Sequence, residues 1–351
     1  MQKHVATQTS SSRPYFPELD GVRAVATLMV MSFHFSQDWW PKGFMMMGQT
    51  GVDLFFVLSG FLITTILLQA SHGDWHEIRN FYIRRTLRIF PLYYFYLILS
   101  VIVGGTVSIW YWFYAQNVTG GLNIRLHGPD HFWSLASEEQ FYLVWPFLVL
   151  FWPRRWLPWA MWGILALVVV LRFALMPTSL ANLALTMTRP DGLVIGGLLA
   201  VYYGRGTLLR IKKTLAGVAV ASVIAIVAQW FYTSGMRSPL VQATKYSLAT
   251  VLYASLIALM LSVGDTPVHR LLRSKPARGI GRVSYGMYVY HPYIFYTLPL
   301  YLGHLWLPVK GIVCLLVAYA VALVSFYGFE KRFTAMKDKL APEKRFEEVA
   351  A

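Results

Sequence analysis

Ten apolar stretches, most of them long enough to cross a bilayer, leave this chain few folds to choose from. They lie near 19–38, 51–70, 89–108, 138–152, 156–175, 190–203, 214–232, 243–263, 283–302 and 309–329. A bilayer core takes about 17 to 25 mostly apolar residues per helix. In hydrocarbon, every backbone N–H and C=O must also be paired without help from water. With 56% hydrophobic and 13% charged residues among 351, the chain is too apolar for an ordinary soluble domain of this size. The expectation is an all-α, polytopic membrane helix bundle with about ten transmembrane helices.

The net charge of +15 would point to nucleic acid in a soluble protein. In a membrane protein the informative quantity is which loops hold the Lys and Arg. With the N-terminus inside, 23 of the 31 basic residues fall on inner segments, among them Arg79, Arg84, Arg85 and Arg88, then Arg205, Arg210, Lys212 and Lys213. Seven fall outside: Lys42, Arg125, Arg172, Arg189, Arg237, Lys245 and Lys310; Arg23 stands within the first span. The bias alternates from loop to loop, so both termini are expected in the cytoplasm, and no nucleic-acid partner is needed. The chain divides into a cytoplasmic leader (1–18), a membrane domain (19–330) and a charged cytoplasmic tail (331–351). No small-residue cleavage site follows the first span, which is read as a retained helix. The single cysteine, Cys314, sits in an apolar run, so neither a disulfide nor a Cys-based metal site is expected. A sequon at Asn117 is too short a pattern to weigh.

Two ionisable residues interrupt the first stretch, LDGVRAVATLMVMSFHFSQD. Arg23 and His34 are eleven residues apart, three helical turns plus about 20°, so both project from one face about 16 Å apart along the axis. Arg23 then lies near the cytoplasmic edge and His34 past the middle of the bilayer. An ionisable group at that depth is costly and normally faces a cavity or a partner. The plainer alternative is a neutral histidine making one interhelical hydrogen bond. Asp38, one turn on, is placed to orient the ring.

Other polar groups are expected at the same level. Asp53 falls in the first turn of the second span, which enters from outside. HFWSLASEEQFYLVWP, residues 131–146, enters from the same side with Glu138 and Glu139. For these acids the alternative is a helix start, because Ser137 and Gln140 have capping-box spacing and first-turn acids suit the helix dipole. Arg189 and Asp191 open the sixth span, either at the pocket or as a pair fixing helix register. On the inner side, NFYIRRTLRIFPLYY places Arg84, Arg85 and Arg88 within one or two turns. This cluster either obeys the positive-inside rule and touches anionic lipid, or recognises phosphate with forked guanidinium groups.

The order LDGVRAVATLMVMSFHF, GVDLFFVLSGFLIT, FYIRRTLRIFPLYY, FWSLASEEQFYLVWP, RPDGLVIGGLLA, RVSYGMYVYHPYIF and FEKRF resembles acyltransferase family 3, integral-membrane O-acyltransferases found mostly in bacteria. The resemblance implies transfer of an acyl group from cytoplasmic acyl-CoA, usually acetyl-CoA, to a hydroxyl on a carbohydrate or other acceptor, in the bacterial inner membrane. By it, His34 corresponds to the essential histidine, Arg23 to the arginine of the same motif, and Arg85 and Arg88 to the Arg-x-x-Arg associated with the donor. Glu138 falls in the Trp-Ser-Leu-x-x-Glu motif. The closing motif departs from the family, which commonly has proline after the Glu-basic pair where this chain has Arg332. Many relatives carry a further extracytoplasmic hydrolase-like domain after the last span. The acceptor is therefore expected to be captured by the membrane domain, with Trp110, Tyr111, Trp112 and Trp133 as candidates or as an interfacial aromatic belt.

The expected site has His34, Asp53 and Glu138 as catalytic groups and Arg23, Arg84, Arg85 and Arg88 around acyl-CoA. Asp38, His131, Trp133, Arg189, Asp191, Tyr288 and His291 line the acceptor pocket or support it. Acetyl-CoA is the donor, a carbohydrate-type hydroxyl the acceptor, membrane lipid the surroundings, and no metal is expected. An imidazole with an ordinary pKa of about 6.5 takes a proton at neutral pH, so His34 is the natural general base. Asp53, Asp38 or Glu138 could fix its tautomer, and direct transfer and a transient acyl-histidine both stay open. The competing function is a proton-coupled transporter or flippase. The lack of repeated halves and the Arg-x-x-Arg stand against it.

Overall fold

The computed structural model describes residues 15–36, 46–121, 124, 126–175, 184–232 and 239–342. Asp38, Lys42, Arg125, Arg237, most of the leader and the end of the tail lie outside the described residues. Ten long helices run through the remainder: α1 (Pro17–Ser36), α2 (Gly51–Gln69), α3 (Trp75–Gly104), α4 (Trp133–Phe151), α5 (Leu157–Leu175), α6 (Asp191–Gly204), α7 (Lys212–Tyr232), α8 (Pro239–Ser262), α9 (Ser284–Tyr301) and α10 (Leu307–Ser325). No strand occurs among the described residues. The fold is all-α among the described residues, and each of the ten apolar stretches overlaps one of these helices.

Six helical segments are long and apolar enough to cross a membrane: Met47–Gln69, Trp75–Gly104, Leu157–Leu175, Lys212–Phe231, Thr244–Ser262 and Leu307–Leu340. The protein is a multi-pass membrane protein. Helices α1, α4, α6 and α9 fall short of the expected ten for a physical reason. Helix α6 has only 14 residues, and the other three are diluted by polar side chains. These four helices carry His34, Glu138, Asp191 and His291.

Helix α2 is the centre of the bundle, packed against α1, α4, α6 and α8. Its contact with α6 is backbone to backbone. A Cβ on Gly60 would lie 1.9 Å from the Leu193 carbonyl oxygen, and one on Gly196 would lie 2.2 Å from the Val57 carbonyl oxygen. Small residues are what permit such an approach between membrane helices. Because backbone and not a movable side chain blocks the space, Gly60→Val is expected to cost about 1–3 kcal/mol or more through overpacking. A thermal midpoint of the purified protein equal to wild type would refute this.

The described part of segment 105–137 is built into the bundle. Two short helices, Ile109–Trp112 and Gln116–Gly121, pass over α3 and α4. Tyr93 Oη donates to the Tyr111 carbonyl at 2.7 Å, and Gln116 Nε2 donates to the Phe132 carbonyl at 2.7 Å. Tyr111 is buried while Trp110 remains exposed, so the aromatics divide between core and surface. Asn117, the sequon residue, is buried and donates to Thr186 Oγ1 at 2.9 Å and Ser137 Oγ at 3.2 Å. The capping-box alternative for Ser137 and Gln140 fails, because α4 begins four residues before Ser137. Ser137 instead donates to the Ala184 carbonyl, and Gln140 to the Tyr114 carbonyl.

Candidate active site

Two cavities are stacked along the bundle. The first, about 300 Å³, is lined by Arg23 from α1, Ser59 from α2, Arg85 and Arg88 from α3, Ser134 and Glu138 from α4, and Tyr285 and Tyr288 from α9. The second, about 600 Å³, is lined by His34 from α1, Tyr96 and Ser100 from α3, His131, and Pro292 and Tyr293 from α9. In α1, α3 and α9 alike, the residues of the first cavity precede those of the second. These three helices therefore run in one direction, with an arginine-bearing cavity at one level and a histidine-bearing chamber at the next.

The arginine cavity owes its charge to helical spacing. Arg85 and Arg88, three apart on α3, both reach it. Arg85 is held on the way: its Nη2 lies 3.2 Å from Glu138, its Nε donates to Glu139 at 3.1 Å, and its guanidinium stacks 3.8 Å over the Tyr142 ring. Tyr142 Oη in turn donates to Glu138. Arg23 pairs with Asp20 at 3.1 Å. Arg88 is exposed and lines the same cavity as Arg23, so two guanidinium groups face one space that suits a bound anion. Arg84 points elsewhere. Its Nε and Nη2 donate to the Ala341 carbonyl at 2.9 and 2.7 Å, so it ties down the helix Lys331–Leu340 instead of lining the cavity.

His34 is half-buried at the floor of the histidine chamber. Its Nδ1 lies 2.9 Å from the Val30 carbonyl oxygen and 3.3 Å from His291 Nε2. The ring of His291 also lies 5.3 Å from that of His131. A thin partition separates this group from the arginine cavity. Tyr288 Oη donates to the His131 carbonyl at 2.5 Å and shares a 2.6 Å hydrogen bond with Ser134 Oγ. Tyr288 and Ser134 thus face the arginine cavity while His131 faces the chamber.

This pair of cavities can be set beside known proteins. The family described as an acyltransferase domain matches residues 16–329. The chain belongs to acyltransferase family 3. The peptidoglycan O-acetyltransferase OatA of Listeria monocytogenes is 30% identical over 382 residues, covering 94% of this chain and 59% of that protein. The O-acetyltransferase OatA of Staphylococcus aureus is 27% identical over 309 residues, covering 79% of this chain and 50% of that protein. The chain spans roughly half to three-fifths of the length of these curated relatives. No solved structure matches it.

In this acyltransferase domain, the expected single pocket resolves into three places. Asp53 is fully buried and pairs with Arg189 at 2.9 Å, and Asp191 pairs with Arg172 at 2.7 Å. Arg189 also stacks 3.7 Å over Tyr246 and 5.5 Å over Trp133. Lys245, fully buried, donates to Gln49 at 2.9 Å. This ionic network joins α2, α5, α6 and α8, and it takes Asp53, Arg189, Asp191 and Trp133 away from the histidine. Arg172, Arg189 and Lys245, read as outer basic residues, are buried within it. Glu138 and Glu139 belong with the arginine cavity, because Arg85 reaches them. Of the residues assigned to the acceptor pocket or its support, His291 contacts His34, His131 lines the same chamber, and Tyr288 bonds the His131 carbonyl from the arginine cavity. Sequence reasoning missed Ser134, Tyr285 and Asp20; the Trp-Ser-Leu motif was the one signal pointing to Ser134.

Proposed function

We propose that this chain is an integral-membrane O-acyltransferase that moves an acyl group, acetyl in the first instance, from acyl-CoA to a hydroxyl of a carbohydrate acceptor. The observation that carries this reading is the stacking of an arginine-lined cavity on a histidine-bearing chamber, with Arg23 and His34 about 16 Å apart along α1, in a chain of this family. CoA is a polyanion with a long flexible arm. Arg23 and Arg88 would hold its phosphates, and Arg85 would join them by exchanging Glu138 and Glu139 for phosphate oxygens. The arm would run toward the partition formed by Ser134 and Tyr288, presenting the thioester to the chamber. There His34 takes the proton of the acceptor hydroxyl as the oxygen attacks the thioester carbonyl, and the thiolate of CoA departs.

The relatives' printed names favour a cell-wall glycan as acceptor. The loop distribution of Lys and Arg favours an inner-membrane orientation with the arginine cavity toward the cytoplasm, where acyl-CoA is made. Glu138 serves in this reading as the resting partner of Arg85, and Asp53 as the anchor of α2 to Arg189. Membranes containing the chain, given acetyl-CoA labelled in the acetyl group, are expected to release CoA thiol and place label on glycan. Arg88→Gln is expected to raise the KM for acetyl-CoA roughly 10-fold or more, the loss of one charge-assisted hydrogen-bonding group worth about 1.5–3 kcal/mol. An unchanged KM would remove Arg88 from the donor site. Label appearing on neither thiol-coupled product nor glycan, with a polar solute moving across the membrane instead, would favour the transporter reading.

A further inference from the structure

The structure assigns the orientation of His34 to a second histidine, His291, and we infer that His291 is a positioning residue that leaves His34 Nε2 as the reacting nitrogen. The inference rests on the acyltransferase reading above and deepens it by naming the group that prepares the base.

It follows from which atoms can carry hydrogens. His291 is fully buried, with Nδ1 2.8 Å from the Tyr288 carbonyl oxygen. A carbonyl can only accept, so Nδ1 of His291 carries the hydrogen and Nε2 of the neutral ring is an acceptor. That acceptor faces His34 Nδ1 at 3.3 Å. His34 Nδ1 also faces the Val30 carbonyl at 2.9 Å, a second group that can only accept. Both neighbours therefore demand a hydrogen on His34 Nδ1, and the bare lone pair of His34 is left on Nε2.

Two features make this more than a packing contact. First, the Val30 carbonyl belongs to the turn below His34 on the same helix and cannot by itself stop the ring from swinging about its side-chain bonds. His291 comes from α9, and its ring sits 4.8 Å from that of His34 at 63°, bracing the imidazole from across the bundle. Secondly, the arrangement accommodates the proton that catalysis delivers. When Nε2 is protonated, Nδ1–H becomes a stronger donor and still meets two acceptors, so the imidazolium is stabilised without any rearrangement. In serine hydrolases a carboxylate does this work. Here two of the three carboxylates that the sequence offers are engaged elsewhere, Asp53 with Arg189 and Glu138 with Arg85 and Tyr142, and the third, Asp38, lies outside the described residues. The network allows one assignment only, since a hydrogen on His291 Nε2 would set two donors against each other.

The test uses the full chain in lipid nanodiscs with three variants, His291→Gln, His291→Leu and His34→Gln. His291→Leu is expected to lower kcat for acetyl transfer about 100-fold, the scale of loss when a reacting group is misplaced by an ångström, with the KM for acetyl-CoA unchanged. His291→Gln, whose side-chain oxygen can accept from His34, is expected to recover most of that loss. Solid-state NMR of protein labelled with ¹⁵N-histidine supplies a readout that needs no turnover. The signals lost in His34→Gln are expected to show a protonated Nδ1 and a bare Nε2 in the wild type, and a mixture of tautomers in His291→Leu. A His34 carrying its hydrogen on Nε2, or equal kcat values for His291→Leu and wild type, would overturn the inference. Should the wild type itself fail to turn over acetyl-CoA, the failure falls on the proposed reaction, and the NMR result alone decides the role of His291.

Discussion

His34→Ala is expected to lower acetyl transfer by about 10²–10⁴-fold while leaving binding of acetyl-CoA intact. The magnitude is that of a general base removed from a positioned site. The sparing of binding follows from the division of the site, because His34 lines the chamber and contributes nothing to the arginine cavity. Equilibrium binding of radiolabelled CoA, read beside steady-state turnover, checks both halves of the expectation. Loss of CoA binding in the variant would mean that the two cavities are one site. Retained turnover would remove His34 from the chemistry. Single-turnover release of CoA thiol without acceptor separates the two remaining routes, since only a transient acyl-histidine releases a stoichiometric burst.

The second large effect concerns stability. Asp53 is fully buried, and Arg189, 1% exposed, is its ion-pair partner. Arg189→Met removes that partner and leaves a carboxylate inside a membrane bundle, an arrangement that costs about 3–5 kcal/mol when a buried pair is broken from one side. The same principle gives the control. Asp53→Leu combined with Arg189→Met removes both charges together, and the pair of substitutions is expected to restore most of the loss. Thermal unfolding of purified protein, followed by the fraction that remains monodisperse, reads both variants against wild type. A single variant as stable as wild type would show that Arg172 and Lys245 neutralise Asp53 unaided. A double variant worse than the single would show that the network itself, and not the pairing, holds α2 to α6.

Periodicity along one helix was legible in the sequence. Arg23 and His34 lie on one face of α1, at separate levels, as their spacing demands, and Arg85 and Arg88 reach one cavity from consecutive turns. Partnership across helices was not legible. The Arg85 contact with Glu139 joins residues 54 apart in sequence, and the His34 contact with His291 joins residues 257 apart. Glu138 and Glu139 were expected at the level of the histidine because their segment was read as entering the membrane from the outer side. Helix α4 carries them one to two turns further along its axis, which is enough to deliver them to the arginines. Asp53 was expected beside His34 for a similar reason, yet helical rotation turns it toward α6 and Arg189. Hydropathy by itself leaves out α1, α4 and α9, whose polar side chains lower it, and length leaves out α6.

The most direct test of the two-chamber account is sidedness. Proteoliposomes with the chain in one orientation would receive acetyl-labelled acetyl-CoA on the face of the arginine cavity and an oligosaccharide acceptor of cell-wall type on the other. The account predicts label on the acceptor across the bilayer, absent in His34→Ala, with no acetyl-CoA reaching the acceptor side. Label appearing only when donor and acceptor share one face would contradict it.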